Sequence, residues 1–189
     1  MNRESLDAEL VNAALQEREA FAVIVERYEQ RLRNYVRRIT SSDEEITKDV
    51  LQETFVKAYV HLNDYDSSLP LSAWLYRIAR NETMNYFRAH KNRPQAFKNE
   101  SDTEIFDRVA SELTADTESE QRIHREAVRA AIEKLPFQYR EILILRFFEE
   151  KSYEEISDIL EMPSGTVSVY LTRAKKLLKK YLSGYDAKN

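Results

Sequence analysis

The sequence predicts an all-α protein: two small helical domains joined by a flexible acidic linker, the second domain containing a helix-turn-helix. Three observations carry that expectation. Apolar residues recur at steps of three and four along most of the 189-residue chain, the spacing of one face of an α-helix. Two glycines and four prolines, with few runs of alternating β-branched residues, leave little material for hairpins. From Gln95 to Glu120 the periodicity fades and eight acidic residues stand against Lys98 and Arg108 alone, the composition of a solvated linker. The boundaries that follow are 1–93 for the first domain, 94–121 for the linker, 122–184 for the second domain and 185–189 for a tail.

Leu6, Leu10 and Leu15, with charges between them, predict a first amphipathic helix; Phe21, Ile24, Tyr28, Leu32, Tyr35 and Ile39 predict a longer second one. Ser41-Ser42-Asp43 breaks the pattern, and Ser42 with Glu45 is a capping-box pair ahead of a third helix through Ile46, Val50, Leu51, Phe55, Ala58, Tyr59 and Leu62. Asp49, Gln52, Glu53 and Lys57 then share its outer surface, by spacing alone an ordinary solvated face. Asn63 to Pro70 is a loop by composition. Leu71, Trp74, Leu75, Ile78, Ala79 and Phe87 define a fourth helix, along which Arg77, Arg80, Arg88, Lys91 and Arg93 alternate with Trp74, Tyr76, Tyr86 and Phe87. Cations beside rings suit unpaired nucleic acid, the cations following phosphate and the rings stacking bases, although Trp74 and Phe87 also fit the packed face.

Beyond the linker, Ile123, Ala127, Ala130, Ala131 and Leu135 resume the helical period, and Pro136 breaks it. Ile142 to Leu145 with Phe147 and Phe148 are apolar almost all round, which leaves two readings: a helix wrapped by its neighbours, or one that offers part of its surface to another protein. Ser152 with Glu155 is a further capping box, before Tyr153, Ile156, Ile159 and Leu160. Met162-Pro163 ends that helix. After Ser164-Gly165-Thr166, the residues Val167, Leu171, Ala174, Leu178 and Tyr181 mark a longer helix, and no Asp or Glu occurs from Ser164 to Leu182.

A short helix, a tight turn and a longer cationic helix form the pattern of a helix-turn-helix, whose second helix enters the major groove. On that pattern Ser164, Thr166, Ser168, Val169, Tyr170, Thr172 and Arg173 reach base edges or adjacent phosphates, and Lys176 and the later lysines neutralise backbone phosphate.

The totals exclude several classes. No stretch approaches the roughly 20 apolar residues of a membrane span and no apolar N-terminal signal is present, so a cytoplasmic protein without membrane insertion is expected. Without cysteine there is no disulfide, thiolate ligand or thiol switch. His61, His90 and His124 lie far apart and outside any ligand or triad motif, so no catalytic residue, metal or cofactor is expected. The net charge of −4 conceals segregation between basic helices and the acidic middle.

Four runs in order, D-V-L-Q-E-T-F-V-K-A-Y (49–59), A-W-L-Y-R-I-A-R-N (73–81), L-P-F-Q-Y-R-E-I-L-I-L-R (135–146) and P-S-G-T-V with R-A-K-K-L-L from Pro163, resemble bacterial sigma factors of the extracytoplasmic-function group over roughly 19–182. The resemblance implies a non-enzymatic protein that binds core RNA polymerase, directs it to promoters and helps to open the duplex. It implies that Asp49, Gln52, Glu53 and Lys57 dock on the clamp coiled coil of the β′ subunit, and that Ile142, Leu145 and Phe148 contribute to docking on the β flap. It further implies that the loop with Asp64, Tyr65, Asp66 and Ser67, and the helix with Trp74, Arg77, Asn81, Asn85, Arg88, Lys91 and Arg93, capture the unpaired minus-ten strand. The helix-turn-helix would read the minus-thirty-five element as duplex. An anti-sigma protein, often membrane-bound, is a partner that such factors commonly have. Lys48 stands where an acidic residue is usual, and Ser168-Val169-Tyr170 replaces a stretch often carrying arginine, which shifts the expected readout toward apolar contact, backbone positioning and DNA shape. The competing reading is a stand-alone helix-turn-helix regulator, which would ordinarily dimerise; no long heptad seam is present.

Overall fold

The structure, a computed structural model, describes the backbone of residues 3–40, 44–90, 109 and 125–186. All of its regular elements among these residues are helical. The N-terminal half contains α1 (Arg3–Gln16), a 3-10 turn (Arg18–Ala20), α2 (Phe21–Ile39), α3 (Glu44–Val60), a second 3-10 turn (Leu62–Asp64) and α4 (Leu71–Ala89). The C-terminal half contains α5 (Arg125–Glu133), α6 (Phe137–Leu143) continued by a π-helical turn (Ile144–Phe148), α7 (Tyr153–Leu160) and α8 (Ser164–Asp186).

In α2 the expected stripe holds in full: Phe21, Ile24, Tyr28, Leu32, Tyr35 and Ile39 are all buried. In α1 the inward face is set by Val11 and Ala14, three apart, and Leu15 turns outward. The carboxylate of Asp7 fixes this helix to α2, accepting from Arg27 Nη1 at 2.9 Å and from the Tyr28 hydroxyl at 2.7 Å. In α3 the buried residues include Thr47 and Thr54; the Thr54 hydroxyl donates to the Val50 carbonyl at 2.6 Å and so needs no water. Tyr59, expected in the core, is on the surface, edge-on to Phe21. Ser42 of the expected capping box lies outside the described residues, as does most of the linker; Val109 within the linker is buried.

Ser152 and Glu155 do form a capping box at the start of α7. The Ser152 hydroxyl accepts from the Glu155 N–H at 3.1 Å and the Glu155 carboxylate accepts from the Ser152 N–H at 2.9 Å. Glu161 closes the helix in the left-handed region at φ 52°, and Pro163 lets α8 start one residue later.

The two halves share one buried cluster, and polar side chains join them. The π-helical turn and Glu150, left-handed at φ 55°, aim Glu149 and Lys151 at α2 and α4. Glu149 pairs with Arg38 and accepts from the Tyr76 hydroxyl at 2.6 Å. Glu141 accepts from Arg80 Nε at 2.8 Å. Lys151 donates to Ser72 at 2.9 Å and to Glu155 at 2.8 Å. Tyr76, which its spacing offered as a stacking platform, is consumed here and almost wholly enclosed.

Candidate nucleic-acid interface

The second helix of the helix-turn-helix, α8, buries Val167, Leu171, Ala174, Leu178 and Leu182 against α5, α6 and α7. The opposite side is then fixed by the helical period: Ser164, Ser168, Val169, Thr172, Arg173 and Lys176 are exposed, and Thr166 is half-buried. Val169 is 47% exposed with no core role, an apolar side chain held out at the N-terminal end of a polar face. Tyr170 behaves differently, its ring lying 5.5 Å from that of Tyr139 and half covered. The Thr172 hydroxyl donates to the Ser168 carbonyl at 2.9 Å, leaving its lone pairs outward. The turn before the helix is closed by Thr166 N–H to the Pro163 carbonyl at 2.8 Å and by the Ser157 hydroxyl to the Met162 carbonyl at 2.5 Å. A Cβ at Gly165 would meet nothing within 4 Å, so packing does not demand a glycine there.

A second polar surface runs along α4. Asn85 and Arg88 are exposed there, Arg77 and Asn81 half-buried. Arg88 Nη2 donates to Asn85 Oδ1 at 2.7 Å, Asn85 Nδ2 donates to Glu82 Oε1 at 3.1 Å, and the same oxygen receives Lys57 Nζ from α3 at 2.7 Å. Glu82 was not singled out in the sequence because one acidic residue in a basic helix looks like solvation. Its spacing of three from Asn85 was the available signal.

The loop ahead of α4 is ordered by its own side chains. Asp66 accepts from the Ser68 N–H at 2.9 Å, which holds its carboxyl below the ordinary aspartate range. The Tyr65 hydroxyl donates to the Leu69 carbonyl at 2.5 Å, and its ring covers Trp74 at 5.4 Å. Asp64, Asp66 and Ser67 are exposed, Tyr65 half so. Trp74 is only 7% exposed: it supports the loop from beneath and does not present a stacking face, because it lies on the packed stripe of α4. Lys91 and Arg93 lie outside the described residues. A cavity of about 120 Å³ opens between loop and α1, walled by Asp7, Tyr65, Ser67 and Pro70.

On α3, Asp49, Gln52 and Glu53 are exposed and Lys57 half-buried, as spacing required. Beside them stand Val56, Tyr59 and Val60, the last 64% exposed, an apolar strip that the sequence pattern did not flag. Ile142, Leu145 and Phe148 are enclosed, so of the two readings of the apolar helix the structure has the wrapped one. Phe148 sits at the junction between the halves with the Arg38 guanidinium 5.2 Å from its ring centre.

Among the described residues no helix is long and apolar enough to cross a membrane, and no cluster of His, Asp or Glu has the makings of a metal site.

Comparison with known proteins gives a consistent result. Residues 24–93 match the family model "Sigma-70 region 2", and residues 125–178 match "Sigma-70, region 4". The chain is 30% identical over 175 residues to the ECF RNA polymerase sigma factor SigW of Bacillus subtilis, covering 88% of this chain and 90% of that protein. It is 31% identical over 187 residues to the ECF RNA polymerase sigma-E factor of Haemophilus influenzae, covering 95% and 96%. Its fold is that of CnrH, solved in complex with the cytosolic domain of CnrY (TM-score 0.65, 24% identity, 96% and 97% covered). It is also that of the sigma factor RpoE of Bartonella quintana, solved in complex with the anti-sigma factor NepR (TM-score 0.60, 23% identity, 86% and 96% covered).

Proposed function

The chain belongs to the extracytoplasmic-function sigma factors of RNA polymerase, non-enzymatic proteins that direct transcription initiation through sigma-70 regions 2 and 4, and on that premise we propose how its surfaces divide the work. The observation that carries the proposal is the acid-free outer face of α8 from Ser164 to Lys180, exposed opposite a continuous aliphatic stripe.

In this reading α8 enters the major groove of the minus-thirty-five element, Arg173 and Lys176 meeting phosphate and Ser168, Val169 and Thr172 meeting base edges. The outer face of α3 docks on the β′ clamp coiled coil, Asp49, Gln52, Glu53 and Lys57 supplying charge and Val56 and Val60 the apolar contact. The loop with Asp64, Tyr65, Asp66 and Ser67, and Arg77, Asn81, Asn85 and Arg88 on α4, take the unpaired minus-ten strand. Of the three residues expected at the β flap, Phe148 lies at the junction and is uncovered when the halves part, whereas Ile142 and Leu145 are fully enclosed and are not assigned to that contact.

Parting is required on length alone. The two promoter elements lie about 25 base pairs apart, roughly 85 Å of duplex. A packed chain of 189 residues has a radius of gyration near ~16 Å. The segment between His90 and Arg125 can span about 110 Å when extended, at ~3.3 Å per residue. The chain therefore reads both elements in an open form. An anti-sigma protein that holds the closed one is the regulator we propose, supported by the complex formed by the Bartonella relative. The protein would work in the cytoplasm, where its polymerase is.

Run-off transcription with purified core RNA polymerase on a pool of upstream genomic fragments tests the assignment. Specific transcripts only in the presence of this protein are expected. Binding of the same fragments by the protein alone, without transcripts, would favour the stand-alone regulator.

A further inference from the structure

Glu82 lies on α4 between the two asparagines assigned to the minus-ten strand, with its side chain 10% exposed. One oxygen, Oε1, receives two donors: Lys57 Nζ from α3 at 2.7 Å and Asn85 Nδ2 at 3.1 Å. Asn85 in turn accepts from Arg88 Nη2 at 2.7 Å through Oδ1, and Arg88 Nε is held by the Met84 carbonyl at 3.3 Å. The result is a directed chain from the helix that faces polymerase to the residues that face DNA.

An asparagine amide has two donor hydrogens and two acceptor lone pairs, and its ends differ in chemistry although not in shape. Here one hydrogen points at a carboxylate and one lone pair at a guanidinium. Turning the amide over would bring Oδ1 against the Glu82 carboxylate and Nδ2 against the Arg88 guanidinium, both repulsive. With Glu82 present a single orientation survives, and the remaining N–H and lone pair of the exposed Asn85 are presented to a ligand in fixed order. Without Glu82 only the exposed Arg88 guanidinium at Oδ1 opposes the flip, and a phosphate can draw it away, so the amide turns over more readily and pairs with either a donor or an acceptor on a base.

We propose that Glu82 is a positioning residue for promoter reading: its carboxylate fixes the Asn85 amide toward an unpaired base of the minus-ten strand and ties that orientation to Lys57 on α3. The inference rests on the assignment of Asn85 to that strand. Bases differ in the donors and acceptors on their edges, so a fixed amide discriminates among them and a freely turning one does not.

The test uses full-length protein in holoenzyme with core RNA polymerase, on promoter templates carrying each base in turn at the unpaired minus-ten positions. Open-complex formation is read by permanganate reactivity, and core affinity is measured separately. Glu82→Ala should leave core affinity within about twofold, yet cut the preference between best and worst base at one position about tenfold. Asn85→Ala should lose the same preference, and the double variant should be no worse than Asn85→Ala alone. Glu82→Gln keeps an acceptor oxygen toward Lys57 and Asn85 and should restore most of the discrimination, which also guards against a variant that merely folds poorly. An equal loss on every base, or additive losses in the double variant, overturns the positioning role. If Asn85→Ala keeps the preference intact, the minus-ten assignment itself fails and the inference falls with it.

Discussion

Arg38 on α2 and Glu149 at the end of the π-helical turn form an ion pair across the two halves of the chain, with 7% and 5% of their side chains exposed. Neither charge has bulk water to return to in the closed form. Removing one partner from such a pair commonly costs 3–5 kcal/mol, because the other is left buried and uncompensated. Arg38→Ala should therefore shift the chain strongly toward the open form. With no native cysteine, one label on Gln30 and another on Lys179 report their separation directly. A longer mean distance in the variant with unchanged helical content is expected; an unchanged distance would show that the apolar contacts alone hold the halves together.

The same junction sets a pH dependence. Burial pushes the carboxyls of Glu141 and Glu149 above the ordinary glutamate range, against the pull of Arg80 and Arg38. A group with a higher pKa in the closed form binds its proton more readily there, so acidification favours closure. Their contribution is complete below the ordinary glutamate value of ~4.3 and is lost as pH rises through the elevated values. Glu155 differs: despite burial, Lys151 and the Ser152 N–H, both on its own half, hold it low, so its support of α7 is lost as pH falls through its lowered value. The labelled pair should shorten as pH falls through the elevated values toward the ordinary glutamate range. Lengthening over that range would contradict the sign.

Ser152→Ala removes the hydroxyl that caps α7 and should cost about 1 kcal/mol. Glu155→Ala does more, since the same carboxylate holds Lys151, itself buried, and accepts from Ser72 at 3.2 Å; about 2–3 kcal/mol is expected. Thermal melts distinguish them, at about 2–4 °C per kcal/mol for a chain of this size. Equal losses would mean that Glu155 matters only to the cap.

The helices were legible in the sequence because local rules govern them: the stripe of α2 from Phe21 to Ile39, the box at Ser152 and Glu155, and the stop at Pro163 each lie within a few residues. The exposed face of α8 followed from the same period. What was not legible depends on partners far away in the chain. Tyr76 and Arg80 read as nucleic-acid contacts until Glu149 and Glu141, more than sixty residues on, are seen to bind them. Glu82 became informative only when α3 placed Lys57 beside it.

Arg173 is exposed on α8, clear of the core stripe, so Arg173→Ala should not affect folding. It should weaken binding to every promoter about equally and flatten the salt dependence of binding by about one unit of slope, the signature of one lost phosphate contact. Val169→Ser tests the apolar readout separately, and should alter preference among bases with the salt slope unchanged. Fluorescence anisotropy at several salt concentrations reads both; an altered base preference for Arg173→Ala would reassign it to a base edge.

Val56 and Val60 are one turn apart on α3, both exposed, and Asp49 and Glu53 continue the same line of the helix at steps of four and three. A solvated face has no need of two valines there, whereas an interface core surrounded by charge does. Covering each valine is worth about 1.5 kcal/mol, or roughly tenfold in affinity. Val56→Ser and Val60→Ser should each weaken core polymerase binding about tenfold, and together by more than either alone, with melting temperature and promoter discrimination unchanged. Leu15→Ser, at an exposed apolar site on α1, should have no effect on core binding. Full affinity in the double variant would move the docking surface off α3, and an equal loss in Leu15→Ser would show that surface hydrophobicity in general, and not this strip, supports the complex.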